Sequence, residues 1–253
     1  MPPENLGEPE PPHPQVSVCM ATYNGERFLA DQLTSILSQL SDSDEIIIVD
    51  DASRDGTIAI VNSFGDRRVR LLQQERNQGV LKTFERALRE AKGEIIFLAD
   101  QDDVWREDKV SKVMARFSSH PDVSLVQSDH AIIDAKGNTV LESRYKVDPF
   151  HSGVLRTFLR NRYYGCAMAF RRSILEYCLP FPEDIPMHDM WIGTINQFAG
   201  KAVLIDEPLV YYRRHDRNES PKKHAPLLTM LRWRWAFVKN VALYLARTRL
   251  RKG

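Results

Sequence analysis

Apolar runs alternate with amphipathic stretches through the first half of the chain, and this alternation constrains the fold more than any other feature of the sequence. Four runs have the length and composition of buried strands and cover residues 16–21, 45–49, 69–72 and 94–99. Helical patterns lie between them at residues 28–40, 57–64 and 80–91. A repeated strand–helix unit predicts a parallel sheet with helices on both faces, in which ligands bind beyond the carboxyl ends of the strands.

The second half of the chain indicates further strands of the same sheet. Strand patterns recur at residues 125–128, 131–133, 139–141, 166–170 and 202–205, and a helical pattern lies at 190–198. Residues 134–138 have the composition of a hairpin turn. We therefore predict an α/β fold with a mixed, Rossmann-like sheet in one domain over residues 15–220, after a disordered, proline-rich leader over residues 1–14.

The composition is that of a globular protein in a reducing compartment. Of the 253 residues, 43% are hydrophobic and 27% are charged, which is ordinary globular usage. No stretch of about 20 apolar residues is free of charge, and the N-terminus lacks the basic and apolar regions of a signal peptide. The three cysteines have no zinc-binding spacing. We therefore expect a cytoplasmic protein with reduced thiols.

The charge is unevenly distributed along the chain. Residues 221–253 carry nine Lys or Arg and no acid, so that residues 1–220 have a formal charge of −8 within a total of +1. A basic tail predicts an anionic partner, either a membrane surface or a nucleic acid. An acidic body and the lack of a recognition motif argue against nucleic acid.

An amphipathic helix is predicted over residues 227–252 within this tail. Its apolar side chains at helical spacing are Leu231, Trp235, Val238, Ala242 and Leu245. Apolar and aromatic residues beside Lys and Arg are typical of a helix lying in a membrane interface. This reading places the protein peripherally at the inner face of the cell membrane, and the alternative is a helix whose apolar face packs on the domain.

The strongest polar cluster is Asp100-Gln101-Asp102-Asp103, directly after the fourth predicted strand. Carboxylates this close repel one another, and a hard cation such as Mg²⁺ or Mn²⁺ relieves the repulsion. The alternative is an exposed acidic turn that caps the helix beginning near Lys109.

A second acidic pair, Asp50-Asp51, ends the second predicted strand. There it can accept hydrogen bonds from a ribose or a base, whereas Ser53 and Asp55 are better explained as turn and cap residues. No glycine-rich phosphate loop occurs, so a diphosphate would need a metal and basic side chains. The candidates for those side chains are Arg76, Lys82 and His215.

A third signal is the His188-Asp189 pair, which opens a predicted helix. Asp189 is either a general base or a helix cap.

Together these segments resemble the family 2 glycosyltransferases of GT-A fold. The matching segments are 22–26, 49–57, 77–79, 98–105, 188–191 and 212–215. The resemblance implies a nucleotide-sugar site built from Thr22, Tyr23, Asn24, Glu26, Asp50, Asp51, Arg76, Asn77, Gly79, Lys82, Asp100 and Gln101. It also implies a metal site of Asp102, Asp103 and His215, and Asp189 as the catalytic base. His188 departs from the pattern, because many relatives carry an acid there.

The implied function is metal-dependent, inverting sugar transfer from a nucleotide-diphosphate donor to a saccharide or lipid-linked acceptor in cell-surface polysaccharide synthesis. The Asp-Gln-Asp-Asp-x-Trp variant resembles bacterial rhamnosyltransferases, which points to dTDP-rhamnose or a UDP-sugar as donor. Two alternatives are a sugar nucleotidyltransferase, disfavoured by the first loop, and a non-enzymatic regulator whose Asp50-Asp51 pair resembles a receiver domain.

Overall fold

The computed structural model of the chain describes residues 14–216, 218 and 226–250. The first half forms β1 (Val16–Thr22), α1 (Leu29–Leu37), β2 (Glu45–Asp50), α2 (Thr57–Ser63), β3 (Val69–Gln73), α3 (Val80–Glu90) and β4 (Ile95–Asp100). The second half forms β5 (Val104–Trp105), α4 (Lys109–Ser119), β6 (Val123–Asp134), β7 (Thr139–Leu141), α5 (Arg144–Val147), α6 (Val154–Leu159), β8 (Met168–Arg171), α7 (Leu175–Cys178), α8 (His188–Ala199), β9 (Lys201–Arg214) and α9 (Leu227–Leu250). The predicted strand–helix series of the first half is confirmed.

The strands form one mixed sheet in the order β3-β2-β1-β4-β8-β6-β9-β5, with β7 beside β6. β1 pairs in parallel with β2 and β4, and β2 pairs in parallel with β3. β8 is antiparallel to both of its neighbours. The parallel part brings the carboxyl ends of β1, β2 and β4 to the same edge of the sheet.

Helices cover both faces of the sheet, as predicted. In β4, Phe97 points into a core beneath α1, α2 and α4, whereas Ile96 and Leu98 point into a second core beneath α3, α8 and α9. These three side chains are fully buried. Each such burial contributes roughly 1.5–3 kcal/mol, which fixes the sheet as the platform for the loops at its edge.

Two strands are longer than the sequence pattern predicts. The strands expected at 125–128 and 131–133 are one continuous β6, and the strand expected at 202–205 continues to Arg214. β6 and β9 pair in parallel along most of their length, with register shifts next to Asp129. Because the polar residues in the middle of β6 are buried against neighbouring elements, they do not show the alternation that marks a half-exposed strand.

α9 packs on the domain through a different face from the one that the sequence pattern indicates. Phe237 and Val241 are buried in the second core, whereas Leu231 and Trp235 are 54% and 70% exposed. Asn240 fixes this rotation, because its side chain lies on the buried side and donates to Asp184 Oδ1 at 2.7 Å. The apolar face that the sequence pattern groups is therefore divided, because Leu231, Trp235 and Val238 are exposed whereas Leu245 packs against the second core.

Parts of the predicted terminal segments lie outside the described residues. This holds for residues 1–13 of the predicted leader and for residues 221–225 and 251–253 of the basic tail. Within the described ranges, every helix is either too short or too polar to cross a lipid bilayer.

Candidate functional site

A cavity of about 700 Å³ opens where the parallel strands end. The register places Thr22 of β1 beside Asp50 of β2, and Ala21 beside Asp100 of β4, so the loops after these strands meet there. The predicted site residues that line the cavity are Thr22, Tyr23, Asn24, Asp51, Asn77, Gly79, Asp100, Gln101, Asp102, Asp189 and His215. The volume is within the range of ligand-binding cavities.

Asp51 holds the loop that enters α3. Its Oδ1 accepts hydrogen bonds from Gln74 Nε2 and from the Gln78 amide, both at 2.7 Å, and its Oδ2 accepts one from the Gly79 amide at 2.9 Å. The side chain is 3% exposed and lines the cavity. Asp51 therefore positions Asn77 and Gly79 at the cavity wall as well as presenting a carboxylate there.

Asp50 and Glu26 lie outside the cavity lining, contrary to expectation, because both are used within the loops. Asp50 accepts hydrogen bonds from the Ser53 amide at 2.8 Å and from Thr22 Oγ1 at 3.0 Å. Glu26 Oε2 accepts one from the Gly56 amide at 2.8 Å. These bonds join the loops after β1 and β2 into one wall of the cavity.

Gln101 joins the loop after β4 to the loop after β1. Its side chain accepts a hydrogen bond from the Tyr23 amide at 2.9 Å and donates one to the Tyr23 carbonyl at 3.1 Å. A Cβ at Gly25 would lie 2.2 Å from Gln101 Oε1. Gly25 is therefore required by the close approach of these two loops.

The predicted basic residues Arg76 and Lys82 also lie outside the cavity lining and are exposed. Lys82 Nζ points toward Glu183, at 4.0 Å from its Oε1. A different cation, Arg27, lines the cavity, and its guanidinium lies 4.8 Å from the centre of the Phe28 ring. Its position in the loop directly after the first strand is a sequence signal that could have identified it.

Asp102 and His215 contact each other at the cavity, although Asp102 follows β4 and His215 follows β9. His215 Nε2 is 2.7 Å from Asp102 Oδ2, and Asn218 Nδ2 donates to the same oxygen at 3.0 Å. Carboxylate oxygen and imidazole nitrogen are ligands that Mn²⁺ accepts, and carboxylate oxygen suits Mg²⁺. This pair fits a divalent cation. Asn218 was missed by the sequence analysis, although it closely follows the 212–215 motif.

Asp103 belongs to a different group of side chains from this pair, and its assignment as a metal ligand stays a prediction. It is fully buried, and its Oδ1 accepts a hydrogen bond from the Arg213 amide at 2.9 Å. Its carboxylate lies with Asp100 and the Cys166 thiol, so that ligand atoms of all three residues are within 4.8 Å of one another. Burial raises the pKa of the Cys166 thiol well above its usual range, which leaves a neutral sulfur that suits Mg²⁺ or Mn²⁺ poorly.

Asp100 lines the cavity together with the Asp102–His215 pair and also belongs to the buried group that contains Asp103 and Cys166. Burial, together with the charges of Asp102 and Asp189, raises its pKa to about 7. The Lys109 ammonium, which is buried over the Trp105 ring and donates to the Cys166 carbonyl at 2.6 Å, partly offsets this rise. Burial also lowers the pKa of Lys109 itself to about 7, so this lysine behind the acidic cluster is only partly charged near neutral pH.

Asp189 lies in the first turn of α8 and lines the cavity. It does not occupy the cap position, which belongs to Met187. Its Oδ2 accepts a hydrogen bond from the Gly165 amide at 3.1 Å, and its Oδ1 accepts one from the Met190 amide at 2.5 Å. Burial raises the pKa of the carboxyl to about 6 despite these bonds. A carboxylate of this kind can accept a proton near neutral pH.

Comparison with known proteins gives a family for the chain. The family model "Glycosyl transferase family 2" matches residues 17–179. An uncharacterized glycosyltransferase from Nostoc sp. is 28% identical over 215 residues, which cover 81% of this chain and 66% of that protein. The chain therefore spans somewhat less than two thirds of the length of this relative.

Solved structures of the same fold contain nucleotide sugars. S. aureus TarS residues 1–349 in complex with UDP-GlcNAc matches with a TM-score of 0.69 and 22% identity, over 83% of this chain and 62% of that one. The mannosyltransferase PcManGT from Pyrobaculum calidifontis, in complex with GDP-Man and Mn²⁺, matches with a TM-score of 0.64 and 22% identity. That match covers 97% of this chain and 67% of the other. These likenesses confirm the predicted GT-A fold.

Proposed function

This chain belongs to glycosyl transferase family 2, and we propose that it transfers one sugar from a nucleoside diphosphate donor to an acceptor hydroxyl with inversion at the anomeric carbon. The observation that carries the proposal is that Asp51, Asp102 and Asp189, which come from three distant parts of the sequence, line one cavity. In this proposal Asp51 contacts the nucleotide, Asp102 binds the cation and Asp189 is the general base, and all three act on the same bound donor.

Asp189 is the proposed general base. It takes the proton from the acceptor hydroxyl as the acceptor oxygen forms a bond to the anomeric carbon. The bond between that carbon and the diphosphate oxygen breaks on the opposite face, and its electron pair leaves with the nucleoside diphosphate. A single displacement inverts the configuration. A pKa of about 6 leaves the carboxylate ionised at neutral pH and basic enough to accept the proton.

Asp102 and His215 are the proposed ligands of a Mg²⁺ or Mn²⁺ ion. When bound, such an ion neutralises negative charge on the leaving diphosphate. Asp102 keeps its orientation because Arg213 donates from Nε to its carbonyl at 2.9 Å, and the Arg213 guanidinium lies 4.6 Å from the centre of the Phe28 ring. Arg27 is the cation of the cavity wall that we assign to the diphosphate.

The donor is a nucleotide sugar, for which UDP-GlcNAc in TarS and GDP-Man in PcManGT are precedents in the same fold. The motif variants favour a dTDP- or UDP-sugar, with dTDP-rhamnose first. The acceptor is a saccharide or a lipid-linked saccharide of a cell-surface polysaccharide.

A lipid-linked acceptor agrees with the outer face of α9. Trp235, Leu231 and Val238 are exposed there, and Arg232 lies beside them and is also exposed. Such a face fits the surface of an anionic bilayer. We therefore place the protein at the inner face of the cell membrane, with its active site near a membrane-confined acceptor.

A thermal-shift panel of UDP-, dTDP- and GDP-sugars, each with and without Mn²⁺, tests the proposal. A ligand at about 100 times its Kd adds about 2.7 kcal/mol of stability, which raises the Tm of a chain of this size by about 5 °C or more. We expect one nucleotide series to give such a shift, larger with Mn²⁺. Pyrophosphate formation from a nucleoside triphosphate and a sugar phosphate, with no shift by any nucleotide sugar, would contradict sugar transfer.

A further inference from the structure

His188 lines the cavity and takes no part in the proposed displacement. Its side chain belongs to a residue that is 3% exposed, and neither Nδ1 nor Nε2 has a hydrogen-bond partner among the described residues. Leaving a buried polar atom unpaired costs about 1–3 kcal/mol. Buried polar groups in native proteins are therefore nearly always paired, with protein, water or a ligand.

The ring is held in place by packing. It stacks on Phe84 with ring centres 4.0 Å apart and an interplanar angle of 24°. A Cβ at Gly165 would lie only 3.1 Å from Nε2, so the absence of a side chain there leaves room beside that nitrogen. Phe84 covers one face of the ring, and the nitrogens at its edge remain available.

The protonation state of the His188 ring limits which ligand groups can form hydrogen bonds with it. Burial lowers the pKa of His188 to about 3, so the imidazole is neutral at physiological pH. A neutral imidazole has one N–H donor and one nitrogen acceptor. A sugar hydroxyl likewise both donates and accepts, whereas a diphosphate only accepts and is better matched by cations.

The position of the ring selects the donor sugar over the acceptor. His188 precedes the proposed base Asp189 in the first turn of α8, and Gly165 contacts both, because its amide donates to Asp189 Oδ2 at 3.1 Å. The sugar that carries the anomeric carbon must lie beside this base. His188 is only 3% exposed, which favours a contact with the sugar of the cavity-bound nucleotide over one with an acceptor that arrives from solvent.

We propose that His188 is a specificity-determining residue that hydrogen-bonds hydroxyl groups of the donor sugar through its ring edge. The inference rests on the proposed function, since it requires a nucleotide sugar in this cavity. It predicts that His188 discriminates between a nucleotide sugar and the free nucleotide, and that its ring contributes nothing to binding of the nucleotide alone.

The test compares His188→Phe with His188→Gln. Phenylalanine keeps the stack on Phe84 and removes both nitrogens, whereas glutamine restores one donor and one acceptor. The affinities for UDP-GlcNAc, dTDP-rhamnose, UDP and dTDP are measured by calorimetric titration in the presence of Mn²⁺. For the sugar nucleotide that the wild type binds best, His188→Phe should lose about tenfold or more in affinity, because a buried hydrogen bond is lost. Affinity for the corresponding free nucleotide should change by less than about twofold, and His188→Gln should recover part of the loss.

Thermal unfolding separates a binding role from a structural one. Replacing an unpaired buried polar ring by an apolar ring of similar shape should keep or raise the Tm of the unliganded protein. A lowered Tm with equal loss of nucleotide and nucleotide-sugar affinity would overturn the proposal in favour of a structural histidine.

Two other results would also decide against the assignment. Unchanged donor affinity in His188→Phe would show that the ring does not contact the donor sugar. If the wild type bound UDP or dTDP but no sugar nucleotide, the proposed function itself would fall, and the His188 assignment with it.

Discussion

Asp189 owes its raised pKa to burial that its hydrogen bonds only partly offset. Amides of Gly165 and Met190 donate to its two oxygens, which favours the ionised form, yet the pKa remains raised to about 6. An exposed aspartate has a pKa of about 3.9 and would be a weaker base. The position of the carboxylate, buried in the first turn of a helix that borders the cavity, thus suits the role of base that we propose for it.

Replacement of Asp189 by Asn should abolish most turnover without affecting donor binding. A positioned general base typically contributes about 10²- to 10⁴-fold to the rate, and an amide cannot accept the proton. Initial rates of nucleoside diphosphate release, together with the donor Kd, measure the two quantities separately. Asp122→Asn is the control, because Asp122 is exposed and paired with Lys201, and it should retain its rate within about twofold. A near-normal rate in Asp189→Asn would remove the residue from the mechanism.

The pH–rate profile should fall on the acid side with a midpoint near pH 6. Burial raises the pKa of Asp189 to about 6, so the carboxylate is ionised and active above that pH and protonated below it. At saturating Mn²⁺ the rate should therefore drop about tenfold for each pH unit below the midpoint. A rate that stays constant from pH 7 down to pH 4.5 would contradict a base with this pKa.

At the scale of elements, the proposed metal site depends on two strand ends that no local pattern relates. Asp102 follows β4 and His215 follows β9, and the Arg213 amide and side chain bond to Asp103 and Asp102. These bonds hold the loop after β4 against the end of β9. The sequence alone gives the two motifs but not their meeting point.

Chelation should stop transfer, and Mn²⁺ or Mg²⁺ should restore it. In the proposed metal site the Asp102–His215 pair supplies an oxygen and a nitrogen ligand, so loss of either side chain should weaken Mn²⁺ binding at least tenfold. EDTA titration of activity, and Mn²⁺ titrations of Asp102→Asn and His215→Gln, measure these effects. Glu207→Gln alters a carboxylate that does not line the cavity and should bind Mn²⁺ like the wild type. Full activity in EDTA would exclude the metal.

In the whole molecule, α9 has one side buried in the second core and an exposed apolar side that faces solvent. Phe237 and Val241 complete the core, so deletion of the helix would expose that core and confuse lipid binding with unfolding. Trp235, Leu231 and Val238 on the outer side are exposed and belong to neither core cluster of the described residues, so they can be changed without opening the core.

The triple variant Leu231→Ser, Trp235→Ser, Val238→Ser should lose binding to anionic vesicles and keep its Tm. Each apolar side chain that enters the interface contributes up to about 1.5–3 kcal/mol, so the loss should exceed tenfold in co-sedimentation with phosphatidylglycerol vesicles. The matched control is the double variant Val140→Ser, Val147→Ser, because both valines are exposed outside α9, and it should bind the vesicles like the wild type. Equal vesicle binding by the triple variant and the wild type would exclude this face as the lipid contact.

The strand–helix order and the placement of acids at strand ends can be derived from the amino-acid sequence without a structure. Both are local properties, because strand and helix periodicity are set by neighbouring residues and a loop begins where an apolar run stops. The GT-A resemblance added roles for Asp51, Asp102 and Asp189, and the structure brings all three to one cavity. The assignment of their roles stays a prediction until it is measured.

Which of two adjacent acids reaches the cavity depends on contacts between distant parts of the chain. Asp50 and Asp51 differ by one residue, yet only Asp51 lines it, and Asp103 is turned inward by the amide of Arg213, which is 110 residues away along the chain. The inward face of α9 and the position of the His188 ring, whose nitrogens have no hydrogen-bond partner among the described residues, are likewise set by packing partners distant in sequence. Side-chain direction at a strand end depends on these long-range contacts, which periodicity does not encode.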